Sequence, residues 1–200
     1  MSASPASRHR AGATMSSADR LDALRRHLLE HSVRTGEFTL KSGRRSTWFI
    51  DSKQTVCRPD AMLLVAQSLL DVVPDDATAI GGLTMGADPV AFVTAGVAAS
   101  LGRPLKAFSV RKEEKDHGAG GRVAGALDPG DRAVVTEDTV TRGTSMLQAV
   151  EAVRAAGAEV VLAVAVVDRG GVAAELLEPL GVPFRALFGA PDLGFPFDER

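Results

Sequence analysis

Two apolar periods take turns along this chain, and their alternation predicts a fold class before any motif is considered. Ser16 and Asp19 form a Ser-x-x-Asp helix start, and Leu21, Leu24 and Leu28 follow at helical spacing, so a helix is expected over 17–32. Residues 38–50 read as extended, with Ser42-Gly43 as a turn. Pro59 suits the first turn of a helix that runs to about Val72 and is closed by Pro74. A short strand over 79–82 precedes a helix over 87–101 stopped by Gly102, and 105–110 is a strand. Residues 111–125 show neither period and hold four glycines, which predicts a long excursion. Strand 132–136, helix 146–156, strand 159–167, helix 171–178 and a strand near 183–188 follow, with an irregular segment from Gly189 onward. Strands alternating with helices of this length predict an α/β fold: a doubly wound, mostly parallel sheet flanked by helices.

Composition narrows the class. With 200 residues and 45% apolar composition the chain can bury a real core, and no internal repeat or linker divides it, so 16–200 is expected to be one domain. Residues 1–15 carry Arg8, His9 and Arg10 among Ser and Ala and lack the apolar centre of a secretory signal; they are expected to be a disordered tail, with Met15 as a candidate start. The net charge of −2 gives no global positive field, so neither nucleic acid nor an anionic membrane is an expected partner. The longest apolar run, Val160 to Val167, is too short to span a bilayer and is Val-rich like a buried parallel strand. Cys57 is the only cysteine, which excludes an internal disulfide and fits the cytoplasm.

Four segments carry candidate chemistry. At 133–145 an apolar strand leads into Glu137-Asp138, then into Thr139, Val140, Thr141, Arg142, Gly143, Thr144 and Ser145, and then into a helix. Ligands of parallel sheets lie beyond the strand C-termini, where helix N-termini offer free N–H groups to a phosphate and acids can hold sugar hydroxyls. A ribose phosphate suits that order. In a regular strand the two carboxylates point to opposite faces, so a shared ligand requires the chain to have begun turning, at Thr139 and Val140. The run Arg111-Lys112-Glu113-Glu114-Lys115-Asp116-His117-Gly118 follows a strand and leads into glycines, the composition of a lid carrying cations, although a charge run alone is more often a solvated face. Lys41-Ser42-Gly43-Arg44-Arg45 before Trp48-Phe49 reads first as a surface hairpin. Asp168-Arg169-Gly170-Gly171 ends the Val-rich strand on the same sheet edge as Glu137, where Arg169 can pair a substrate carboxylate in two-pronged fashion. The His-x-x-Glu-His at His27–His31 matches an inverted zinc pattern, but no other His/Cys cluster completes a metal shell. No phosphate-binding Gly-x-x-x-x-Gly-Lys loop and no Gly-x-Gly-x-x-Gly after a strand is present.

Three stretches together resemble the orotate phosphoribosyltransferase family: Phe38-Thr-Leu-Lys-Ser-Gly to Phe49-Ile50, the lid Arg111-Lys112-x-x-Lys115-x-His117-Gly118, and Val134-Val-Thr-Glu-Asp to Gly143-Thr-Ser. The resemblance implies the type I phosphoribosyltransferase fold with a small N-terminal hood. It further implies transfer of the 5-phosphoribosyl group of 5-phosphoribosyl 1-diphosphate to orotate, giving orotidine 5′-monophosphate and pyrophosphate, with Mg²⁺ held mainly by substrate oxygens and water, in a homodimer whose lid reaches the partner's site. Carried over by position, Glu137 and Asp138 meet the ribose hydroxyls, and residues Thr139 to Ser145 cradle the 5′-phosphate. Lys41, Arg111, Lys112, Lys115 and His117 meet the diphosphate, and Phe49, Ile50, Thr141 and Arg169 recognise orotate; Lys115, Glu137 and Asp138 are the catalytic positions. Arg142 stands where the family often has a second Thr, and Gly170-Gly171 where an acid is common after Asp-Arg. A purine-specific relative, or a regulator that binds the diphosphate sugar without turnover, are the competing readings.

Overall fold

The computed structural model describes residues 15–39, 45–114 and 121–198. The chain opens with helix α1 (Ser17–His27), capped by Ser16, whose Oγ accepts from the Asp19 amide at 3.1 Å. A π-helical turn, Leu28–Ser32, completes the span expected to be helical. Strands β1 (Val33–Thr39) and β2 (Arg45–Ile50) then form an antiparallel ribbon apart from the main sheet, in register from Val33 opposite Ile50. This ribbon fits the hood; the expected turn at Ser42-Gly43, like Lys41, lies outside the described residues. A one-turn helix that the pattern did not announce, α2 (Lys53–Val56), follows, and then α3 (Pro59–Leu70) with its proline in the first turn.

The remaining elements are β3 (Ala79–Leu83), α4 (Ala87–Ser100), β4 (Lys106–Val110), β5 (Val123–Gly125), β6 (Arg132–Val140), α5 (Thr144–Ala155), β7 (Glu159–Asp168), α6 (Ala173–Leu177) and β8 (Phe184–Gly189). They build one sheet in the order β5-β4-β3-β6-β7-β8, with only β5 antiparallel to its neighbour. Alternate residues of the buried strands feed two cores. Val134, Val164 and Val166 pack with α1, α3 and α4 on one face, while Ala133, Val135, Ala163 and Ala165 pack with α5 and α6 on the other. From β3 the chain winds outward to β4, whereas from β6 it winds the other way through β7 to β8. The winding therefore reverses between β3 and β6, the place where open α/β sheets present a ligand crevice.

Two expectations are corrected. The 111–125 excursion is not irregular throughout, because Val123–Gly125 returns as a short edge strand on β4. Its base is pinned by the Arg111 amide donating to Arg122 O at 2.7 Å. Three residues are too few to show a period, which is why the pattern missed them. Strand β6 does not end at 136 but continues through Val140, with Glu137 opposite Ala165 and Thr139 opposite Val167 on β7. Its polar half is held by ladder bonds to an apolar neighbour, a tertiary effect invisible in the local sequence. Among the described residues, no helix is long and apolar enough to cross a membrane.

Candidate active site

The ladder between β3 and β6 ends at Gly81 opposite Val135, and Gly82 still lies against β6, where a Cβ would fall 2.1 Å from Thr136 O. Beyond it both acids of β6 approach the loop that follows β3. They meet at Gly86, in the loop after β3: a Cβ there would lie 2.0 Å from Glu137 Oε1 and 2.7 Å from Asp138 Oδ1. The expected turn at Thr139 and Val140 is absent, because β6 stays paired with β7 through Val140. Only glycine leaves both carboxylates in place.

Both acids are buried, Glu137 at 7% and Asp138 at 4% exposure, and their environments differ. Asp138 accepts from Lys53 Nζ at 2.6 Å, from Ser52 Oγ at 3.1 Å and from the Thr139 amide at 2.8 Å. The pull of Asp138 raises the Lys53 ammonium above its ordinary value, against the opposing effect of burial, which is the largest single influence. Among the described residues no cation hydrogen-bonds Glu137, whose side chain instead shares a hydrogen bond with Asp138. Burial first, and the neighbouring Asp138 charge second, push its carboxyl from 4.5 up to about 8. The folded chain thus holds a proton on Glu137 that the unfolded chain has released. Stability carried by that protonated form is whole below about 4.5 and is lost as pH rises through about 8. Glu137→Gln, which cannot ionise, is expected to melt above wild type at pH above 8, by a margin that shrinks toward acid pH; thermal scans showing a margin independent of pH would contradict this.

One end of the site is a helix start. Gly143 takes the left-handed conformation, φ 75°, and no side chain caps α5, so its first-turn N–H groups remain available to an anion. Thr144 and Arg142 are exposed, while Thr139, Thr141 and Ser145 are half-buried and Val140 is buried. The neighbouring strand ends are laced together: the Arg169 amide donates to Val140 O at 2.8 Å, and Ser52 Oγ shares a hydrogen bond with Thr139 Oγ1.

A third group gathers around Arg169. Its Nη2 donates to Trp48 O at 3.0 Å and to Ser46 Oγ at 3.2 Å, and its guanidinium lies 4.9 Å from the Trp48 ring centre and 6.0 Å from that of Phe49. Burial lowers its proton affinity, partly offset by Asp198. Phe49 is exposed and Ile50 is buried in β2. Gly170 follows Arg169 because any side chain there would strike Thr141 O, 1.7 Å from the Cβ position. The end of β4 is tied to the same rim: the Thr84 amide donates to Val110 O at 2.8 Å, and Asp88 accepts from Thr84 Oγ1 at 2.6 Å and Ser109 Oγ at 2.7 Å. Arg111 and Lys112 sit at the start of the excursion, half-buried and exposed respectively, whereas Lys115 and His117 lie outside the described residues.

Sequence reasoning overlooked Lys53, Ser52 and the 84–86 loop. An Asp-Ser-Lys after a strand was the only available signal, and the contact with Asp138 spans 85 residues of chain. His27 and His31 lie with ring centroids 4.3 Å apart and tilted by 44°.

No family model matches the chain. The orotate phosphoribosyltransferase of Streptomyces avermitilis is 47% identical over 174 residues, covering 86% of this chain and 96% of the relative. The crystal structure of Mycobacterium tuberculosis H37Rv orotate phosphoribosyltransferase in complex with Fe(III) dicitrate matches with a TM-score of 0.78 at 39% identity, over 88% of this chain and 99% of that one. The M. tuberculosis enzyme in complex with 5-phospho-alpha-D-ribosyl 1-diphosphate matches with a TM-score of 0.74 at 36% identity over the same shares. Relatives this similar along nearly their whole length settle the assignment: the chain belongs to the orotate phosphoribosyltransferase family.

Proposed function

We infer that this enzyme carries out the family's reaction, joining orotate to the phosphoribosyl group of 5-phosphoribosyl 1-diphosphate to give orotidine 5′-monophosphate and pyrophosphate. The observation that carries the reading is the convergence of Glu137, Asp138 and the 84–86 loop at the winding reversal of the sheet, beside the uncapped start of α5. Glu137 and Asp138 hold the ribose hydroxyls. The N–H groups and hydroxyls from Thr139 to Ser145, Arg142 included, receive the 5′-phosphate. Lys41, Arg111, Lys112, Lys115 and His117 close on the diphosphate, and Phe49, Ile50, Thr141 and Arg169 take the base.

In the chemical step a ring nitrogen of orotate gives its electron pair to C1′, the C1′–O bond breaks with its pair leaving on pyrophosphate, and the proton of that nitrogen passes to the departing pyrophosphate or to water. Positive charge grows on the sugar and negative charge on the leaving group. Acids beside the one and cations beside the other stabilise that separation, and no protein nucleophile is needed. The two buried carboxylates suit a hard divalent cation delivered by substrate oxygens rather than one caged by side chains. Bound that way, Mg²⁺ neutralises charge on the diphosphate. The working form is a homodimer in the cytoplasm, with the lid of one subunit serving its partner.

Absorbance monitoring of orotate provides the test. Purified protein is expected to consume orotate only when 5-phosphoribosyl 1-diphosphate and Mg²⁺ are both present, and to leave adenine and xanthine unchanged. Folded protein that leaves orotate intact under those conditions would overturn the reading.

A further inference from the structure

The side chain proposed to receive the orotate carboxylate already has a carboxylate beside it. Asp198, at 7% side-chain exposure, places Oδ1 3.4 Å from Arg169 Nη2, and it is the acidic group that Arg169 faces. The segment 195–198 is seated by specific contacts. Phe195 donates its amide to Ala190 O at 3.1 Å and stacks on Trp48 at 4.6 Å with the rings 12° apart. The Phe197 ring occupies the space over Gly171, where a Cβ would lie 2.9 Å from its Cγ. The Asp198 amide donates to Arg169 O at 3.0 Å. Gly171 therefore makes room for this segment, which delivers an acid to the base end of the site.

The pairing is incomplete on both sides. Arg169 Nε and Asp198 Oδ2 are each buried without a hydrogen-bond partner among the described residues. Buried polar atoms left this way are costly, so the docked arrangement holds Arg169 without saturating it. An incoming carboxylate can accept from the unpartnered Nε, and it reaches the two-pronged geometry that Asp198 lacks once Nη2 also gives up its bond to Ser46 Oγ. Both carboxylates cannot stay, because two acids against one guanidinium leave an uncompensated negative charge in a dry site.

We propose that Asp198 is a resident competitor for Arg169, a residue that sets the affinity for acidic bases by occupying the place their carboxylate must take. The proposal rests on the reading of Arg169 as the receiver of the orotate carboxylate. Each binding event then begins by displacing the 195–198 segment, and the apparent affinity falls by the fraction of molecules in which it is docked.

Steady-state kinetics of Asp198→Asn at saturating 5-phosphoribosyl 1-diphosphate test this. The KM for orotate is expected to fall about fivefold or more, while inhibition by uracil, the same ring without the carboxylate, stays unchanged. Asp198→Ala, which removes the polar group entirely, should move the KM in the same direction. An orotate KM that holds or rises in both variants overturns the proposal, as does an equal gain for uracil, which would make the segment a steric plug. Arg169→Gln separates this failure from failure of the underlying reading: a raised orotate KM in that variant keeps Arg169 as the receiver whatever Asp198 does, and an unmoved one overturns both.

Discussion

Replacing both acids at once, Glu137→Gln with Asp138→Asn, is expected to lower kcat/KM for 5-phosphoribosyl 1-diphosphate by roughly 10²–10⁴-fold in a protein that remains folded. The estimate is for an assay above pH 8, where both carboxyls are ionised, and follows from two charge-assisted hydrogen bonds to the sugar at about 1.5–3 kcal/mol each. The amides match the carboxylates in shape, so the space at Gly86 is unchanged and the measurement reports charge. Loss of the Asp138 charge leaves Lys53 without its 2.6 Å partner, but the Lys53 side chain is 41% exposed and water can solvate it. On the Glu137 side the substitution removes a carboxyl that burial had made costly to ionise. Stability and activity are therefore expected to move in opposite directions, the signature of a group kept for function. A fall of less than tenfold, with calorimetry showing undiminished binding of the diphosphate sugar, would remove the pair from sugar recognition.

How much of this was legible beforehand depended on the range of the forces involved. The Val160 to Val167 run and the apolar half of β6 declared themselves because a strand buried on both faces needs little besides its own composition. The acids were visible as a pair, yet the reason they act together was not. It lies in the loop after β3, at a glycine 51 residues upstream of Glu137 that nothing in the surrounding sequence marks. Lys53 and Asp198 escaped for the same reason. Each contacts its partner only after the parallel sheet has brought the ends of β6 and β7 under the β1–β2 ribbon and the segment after β8. The 189–198 stretch, expected to be irregular, opens instead with a 3-10 helix over Ala190–Leu193, and the residues after it are ordered against Trp48 and Arg169. Local pattern read the scaffold, and long-range contact determined which polar groups were paired, buried or left to bind.

Lys115→Ala is expected to reduce kcat by roughly 10²–10³-fold, the cost of losing one preorganised donor to developing charge. Lys115 lies outside the described residues, but the structure fixes where its segment begins. Arg111 is tied to Arg122 at the base of the excursion, and four residues of extended chain reach at most about 14 Å from there. That base adjoins the 84–88 loop through the Thr84 to Val110 bond and the two hydrogen bonds of Asp88. A cation on this tether can follow the diphosphate as it departs without disturbing the sheet, so thermal unfolding should be unaffected while turnover falls. Mixing subunits distinguishes a lid serving its own site from one serving its partner's. If lids act across the dimer, re-equilibrated mixtures of Lys115→Ala with the double acid variant recover about a quarter of wild-type activity, because each mixed dimer then holds one intact site. If lids act within their own subunit, every site in the mixed dimer is defective and no activity returns. Undiminished turnover in Lys115→Ala alone would remove the residue from the chemistry and leave the diphosphate to Arg111, Lys112 and the cation it carries.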